Sequence, residues 1–179
     1  MVVSGKTASI LDIGTGFHAE LSGRENIYLS GSMMGMTKGE IDQRIGSIIR
    51  FSGIEEFINV PVKKYSSGMF IRLAFSVVAH LESDIILLDE IISVGDAEFR
   101  IKSFNKIREL AKSGKTIIVV SHDLNSLLNI AQRCLQLDHG LVKDVGKPSD
   151  TVINYMQDTL LSIVKKKKDD DHIAAEERL

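Results

Sequence analysis

Two kinds of hydrophobic pattern follow one another along this chain. The segment Thr7 to Ile13 (TASILDI) is apolar-rich and predicts a strand, closed by the loop Gly14-Thr15-Gly16-Phe17-His18. From Gly23 to about Gly53 the apolar residues recur at helical spacing. Ile27, Leu29, Met33, Met34 and Met36 mark one amphipathic segment. Thr37-Lys38-Gly39-Glu40 has capping-box spacing and opens a second helix with Ile41, Ile45, Ile48 and Ile49 on one side. Phe57 to Pro61 is a break, and Ser66-Ser67-Gly68 precedes a helix from about Met69 to Leu81. The pattern then changes. Asp84-Ile85-Ile86-Leu87-Leu88-Asp89-Glu90 holds four apolar residues between acids, the mark of a strand buried on both faces of a parallel sheet. A polar helix over about Ala97 to Lys112 leads to Thr116-Ile117-Ile118-Val119-Val120, a second buried strand by the same rule. A short helix over Asp123 to Gln132 follows. Cys134–Leu137 and Leu141–Val145 then flank a hairpin-like turn, and a last helix runs from Pro148 to about Val164.

Strand and helix alternate after residue 82, so the fold class is α/β. The all-helical block at about 23–81 reads as a subdomain inserted into a sheet domain. One domain is expected over 1–164, with 165–179 a charged, unstructured tail in which Lys165–Lys168 meets Asp169–Asp171. The net charge of −2 gives no support to a nucleic-acid binder. The single cysteine, Cys134, lies in an apolar stretch and suits a reducing compartment. No apolar run approaches the roughly 20 residues that span a bilayer, and the first residues lack the layout of a secretory signal. The expectation is a cytoplasmic chain that reaches a membrane only through a partner.

Three features carry chemistry, in a fixed order. Tyr65-Ser66-Ser67-Gly68-Met69 opens a helix; hydroxyls, free N–H groups and the positive dipole end suit a phosphate. Asp89 and Glu90 end one strand, where open α/β sheets bind ligands. Asp89 can hold Mg²⁺ and Glu90 can polarise a water. His122 ends the next strand and can donate to a phosphate. Singly these are weak signals, since Ser-Gly pairs cap many helices and a lone histidine is usually structural. His18, His80, His139 and His172 show no metal-ligand spacing with each other or with Cys134.

In that order the motifs resemble the nucleotide-binding subunit of ATP-binding cassette (ABC) transporters, over roughly residues 1 to 160. Ser66-Ser67-Gly68-Met69 is similar to the signature loop, Asp89 to the Walker B aspartate, and Glu90 to the catalytic glutamate. Ser93-Val94-Gly95-Asp96 is similar to the D-loop and His122 to the switch histidine. GTGFHAELSGRENIYLSGSMMGM and SVGDAEF resemble the branch exporting O-antigen, capsule and teichoic acid. The resemblance implies a RecA-like P-loop NTPase sheet with ATP and Mg²⁺ as cofactors. Asp89 would bind the metal, Glu90 and His122 would be catalytic, and Ser66, Ser67, Gly68 and Asp96 would contact nucleotide across a homodimer. It also implies a transmembrane permease, a polysaccharide moved indirectly, and a place on the inner face of the bacterial plasma membrane.

Two departures qualify this. No Gly-x-x-x-x-Gly-Lys-Ser/Thr occurs; Ser4-Gly5-Lys6-Thr7 and Ser113-Gly114-Lys115-Thr116 lack the first glycine and lead into strands. The resemblance therefore implies a member shown without its P-loop part, and a chain inactive alone. Second, Ile13, beside Asp12, stands where the Q-loop glutamine is expected. The other reading is a non-catalytic module that binds a full-length subunit or the membrane partner. A DNA-repair or chromosome-structure ATPase fits less well, because the helical block lacks sustained heptads.

Overall fold

The structure, a computed structural model, describes residues 7–10, 16–80, 83–89 and 96–176. Two compact units divide the chain, Met1–Ser126 and Leu127–Leu179.

The first unit is built on a three-stranded sheet of β1 (Thr7–Ile10), β2 (Ile85–Asp89) and β3 (Thr116–Val120), in that order. Both pairings are parallel, with Ile10 beside Leu88 and Asp89 beside Val120. Parallel neighbours need long crossovers, and the helices supply them. The helical block joins β1 to β2, and α4 (Ala97–Lys112) joins β2 to β3. Ile86 and Leu88 of β2 are buried, against Phe75, Val78 and Ala79 of α3 (Ser67–Ala79) and Ile107 and Leu110 of α4. The residual space there is about 10 Å³ and apolar, too small for a ligand and without partners for a water.

Two expectations for the strands need correction. Ile85 and Leu87, on the other face of β2, are half-buried rather than buried. Thr116, Ile118 and Val120 of β3 are exposed, Val120 at 58%. Among the described residues β3 pairs only with β2, so it is an edge strand with one covered face. A continuous β-branched run does not report which strand lies at the edge.

Helices α1 (Gly23–Met33), α2 (Lys38–Ser52) and α3 pack on one another around Ile27, Ile41, Ile48, Leu73 and Val77. Both α1 and α2 begin with capping boxes, Ser22 with Glu25 and Thr37 with Glu40. Gly31 lets α2 approach closely: a Cβ there would lie 2.8 Å from Ile41 Cδ1. Gly53 ends α2 in the left-handed region, φ 64°. The C-terminal carbonyls of α2 are met by cations from two other helices. Arg72 Nε donates to Ser52 O at 2.8 Å, and Lys102 Nζ to Phe51 O at 2.9 Å. Phe51, Phe75 and Phe99 cluster beside them with ring centroids 5.8–6.1 Å apart, and His80 stands edge-on to Phe51 at 5.2 Å.

The loop entering α1 is held by Asn26, which is fully buried. Its Oδ1 accepts from His18 N at 2.6 Å, and its Nδ2 donates to His18 O, Leu21 O and Ser22 O at 2.9–3.1 Å.

The second unit holds an antiparallel hairpin, β4 (Cys134–Asp138) and β5 (Leu141–Gly146), and α6 (Pro148–Glu176). His139 and Gly140 at the turn both have positive φ, 46° and 80°, as a tight two-residue hairpin requires. Hairpin and helix meet through polar groups. Gln136 and Lys143 bond Asp158 at 3.0 and 2.9 Å, and Asn154 bonds Asp144 at 3.0 Å. The Gln136 amide, then Lys143, hold the Asp158 carboxyl below its usual range. Helix α6 continues to Glu176, so the backbone of 165–176 is helical where an unstructured tail was expected. No glycine or proline interrupts that stretch, and Lys, Ala and Glu are good helix formers.

Candidate functional site

The candidate residues lie at the ends of four elements of the first unit, β2, β3, α3 and α4. Asp89 is the last residue of β2 and is half-buried. Its Cα partner is Val120, the last residue of β3. His122 follows two residues later and is exposed. Parallel pairing thus puts Asp89 and His122 at the same, C-terminal edge of the sheet. This is the edge at which open α/β sheets take ligands. Glu90 lies outside the described residues, as do Asp12, Ile13 and Ser93-Val94-Gly95. Asp123, beside His122, is occupied locally: its carboxylate accepts from Asn125 N, Ser126 N and Ser126 Oγ at 3.1, 3.3 and 2.6 Å.

Ser66 caps α3, accepting from Met69 N at 3.2 Å. Ser66 and Ser67 are exposed, and the first turn of α3 carries no acid. Helices α1, α2 and α4 carry Glu25, Glu40 and Glu98 there. The positive end of α3 is therefore not neutralised within its own turn. Tyr65 anchors the approach, donating to Phe57 O at 2.8 Å; burial pushes its hydroxyl above the usual range. Phe17 packs edge-on against Phe70 of the same first turn, centroids 5.2 Å apart. This fixes Phe17 against the start of α3.

Asp96 caps α4, accepting from Phe99 N at 2.8 Å. Its other oxygen pairs with Arg72 Nη1 at 3.3 Å. Arg72 also holds Ser52 O and lies 5.1 Å from the centre of the Phe99 ring. It ties the helix carrying Ser66 and Ser67 to the start of α4 and the end of α2. Sequence reasoning did not single out Arg72 or the buried Asn26. A charge set between Ile71 and Leu73 is the one sequence signal for Arg72.

For a divalent cation this edge offers Asp89, the Asp123 carboxylate being bonded by its own turn; the described residues contain no group of three or more His, Cys, Asp or Glu that could hold a metal. One carboxylate fits a magnesium ion that takes its remaining ligands from phosphate and water, and not an all-protein cage. No described helix is long and apolar enough to cross a membrane.

No family model matches the chain. Individual proteins do. It is 43% identical over 155 residues to the O-antigen export system ATP-binding protein RfbB of Myxococcus xanthus, covering 87% of this chain and 36% of that protein. It is 41% identical to the RfbB of Klebsiella pneumoniae, covering 86% and 62%. It is 42% identical to the teichoic acids export ATP-binding protein TagH of Bacillus cereus, covering 83% and 27%. The chain is a homologue of ABC export ATPases. Its fold is theirs too. It superposes with a TM-score of 0.68 and 24% identity on an ATP-binding cassette solved as a dimer with ADP and Pi, covering 80% of this chain and 63% of that one. The ATP-binding subunit of an ABC transporter gives 0.73 at 20% identity, covering 84% and 62%. The chain thus spans from about a quarter to under two thirds of these relatives' length.

Proposed function

We propose that this chain carries part of the ATP site of an ABC exporter of bacterial polysaccharide, of the O-antigen, capsule or teichoic-acid type. One observation carries the reading: the register that sets Asp89 beside Val120 gathers Asp89 and His122 at one sheet edge. In this reading Asp89 holds Mg²⁺, Glu90 polarises the attacking water, and His122 donates a hydrogen bond to the terminal phosphate. Mg²⁺, when bound, neutralises phosphate charge. Ser66, Ser67 and Gly68, at the exposed start of α3, offer hydroxyls and N–H groups to nucleotide held by the other subunit of a homodimer. Asp96, fixed by Arg72, faces that same partnership. The dimer works on the inner face of the plasma membrane with a transmembrane permease, and no nucleic acid is involved.

The 179-residue chain alone is inactive in this proposal, because its sequence contains no Gly-x-x-x-x-Gly-Lys-Ser/Thr to cradle the phosphates. That same sequence fact favours a second reading, a non-catalytic module that binds a full-length ATPase subunit or the permease. MgATP turnover is measured for the purified chain, alone and mixed with a full-length export ATPase subunit. No turnover alone, with turnover of the mixture lowered by Glu90→Gln in this chain, supports the first reading. Binding to the full-length subunit with turnover indifferent to Glu90→Gln supports the second. Turnover by the chain alone, abolished by Glu90→Gln, refutes the predicted inactivity.

A further inference from the structure

Helix α6 turns Asn154 and Asp158 to the hairpin and buries Val152, while its apolar residues between Ile153 and Val164 are exposed. Ile153, Met156, Leu160 and Ile163 are all exposed, Leu160 at 62%, and Val164 and Leu161 flank them. Their steps of three, four and three residues are those of a coiled-coil seam. On an α-helix they fall within about 100° of arc. The steps are also symmetric. Turned end for end, the seam meets itself with Ile153 opposite Ile163 and Met156 opposite Leu160.

We infer that this seam of α6 pairs with the same seam of a second copy, antiparallel. Charge decides the direction. Parallel pairing would set Lys165–Lys168 beside the same four lysines, and Asp169–Asp171 beside the same aspartates. Antiparallel pairing separates the like blocks and places position 166, a lysine, opposite position 150, an aspartate. Charge also disfavours a lipid surface as the occupant. The four lysines are followed at once by three aspartates, which cancel most of the attraction to anionic headgroups.

The test uses the full chain. Analytical ultracentrifugation should show a concentration-dependent dimer, and Leu160→Glu should weaken it by more than about 30-fold. In a Cys134→Ser background, Ile153→Cys mixed with a size-tagged Ile163→Cys should cross-link as the mixed pair. Neither variant should cross-link to itself, because a 10-residue offset on a helix is about 15 Å. Far-UV circular dichroism checks that each variant keeps its helix content. A chain that stays monomeric, a dimer indifferent to Leu160→Glu, or self-links at 153 or 163 would overturn the inference. So would binding to anionic vesicles that Leu160→Glu abolishes.

Discussion

Replacing Asn26 by alanine tests how the loop before α1 is held. The side chain has no exposed surface, and both ends of its amide are bonded within the loop 18–22. The three carbonyls it bonds keep another donor each: Leu21 N reaches His18 O, Val62 N reaches Leu21 O, and Asn26 N reaches Ser22 O. Only His18 N would lose its partner. The cost is therefore one orphaned amide plus three weakened acceptors, about 2–3 kcal/mol, rather than four full bonds. Asn26→Asp should cost more at neutral pH, since its second oxygen would face three carbonyls with no proton to offer. Its deficit should shrink at acid pH, where protonation restores a donor. Urea unfolding followed by far-UV circular dichroism at two pH values measures both. A loss below about 1 kcal/mol for Asn26→Ala would refute the reasoning, as would an Asn26→Asp variant as stable as Asn26→Ala at neutral pH.

Arg72→Ala should cost about 2 kcal/mol, from a charge-assisted bond to Ser52 O and the Phe99 ring contact, with little from the exposed Asp96 pair. Arg72→Lys should recover only a small part, because it lacks the Nε–H; a loss under about 0.5 kcal/mol in urea titration for either variant speaks against the clamp. Burial, with Lys106 and Lys102 adding to it, lowers the His80 imidazole below its usual value, against the pull of Ser76 O and Glu109. The folded state therefore binds fewer protons there than the unfolded one. Stability from this group is full above about pH 6.5 and falls as pH drops toward the folded value. His80→Asn should flatten that part of the stability–pH curve, and an unchanged slope would count against the assignment.

Local signals made much of this fold legible. The apolar run between Asp84 and Asp89 located the central strand, and Thr37 with Glu40 located the start of α2, because both patterns act over a few residues. The companion capping box of Ser22 and Glu25 has the same spacing and was not singled out. What local pattern leaves out is position in the sheet. Thr116–Val120 reads like Ile85–Leu88, yet among the described residues the first pairs on one side and the second on both. Asn26 and Arg72 also act over distance, Arg72 reaching 20 residues back to Ser52 and 24 forward to Asp96. No spacing rule marks such a partner. Of the candidate site, Asp89, His122, Ser66 and Asp96 were found as motif positions. Their placement at strand ends and helix caps follows from the parallel register and the caps themselves.

The uncovered side of β3 has a consequence for handling the protein. Edge strands in soluble proteins are commonly blunted by an outward lysine, a proline or a bulge. Within Thr116–Val120 there is none of these, and Ile118 and Val120 lie in water. Lys115, the residue just before the strand, is directed to Ser83 O at 2.8 Å. Such a strand is a template for further strands. A lysine at position 118 or 120 would guard it and raise the concentration at which the chain stays dispersed.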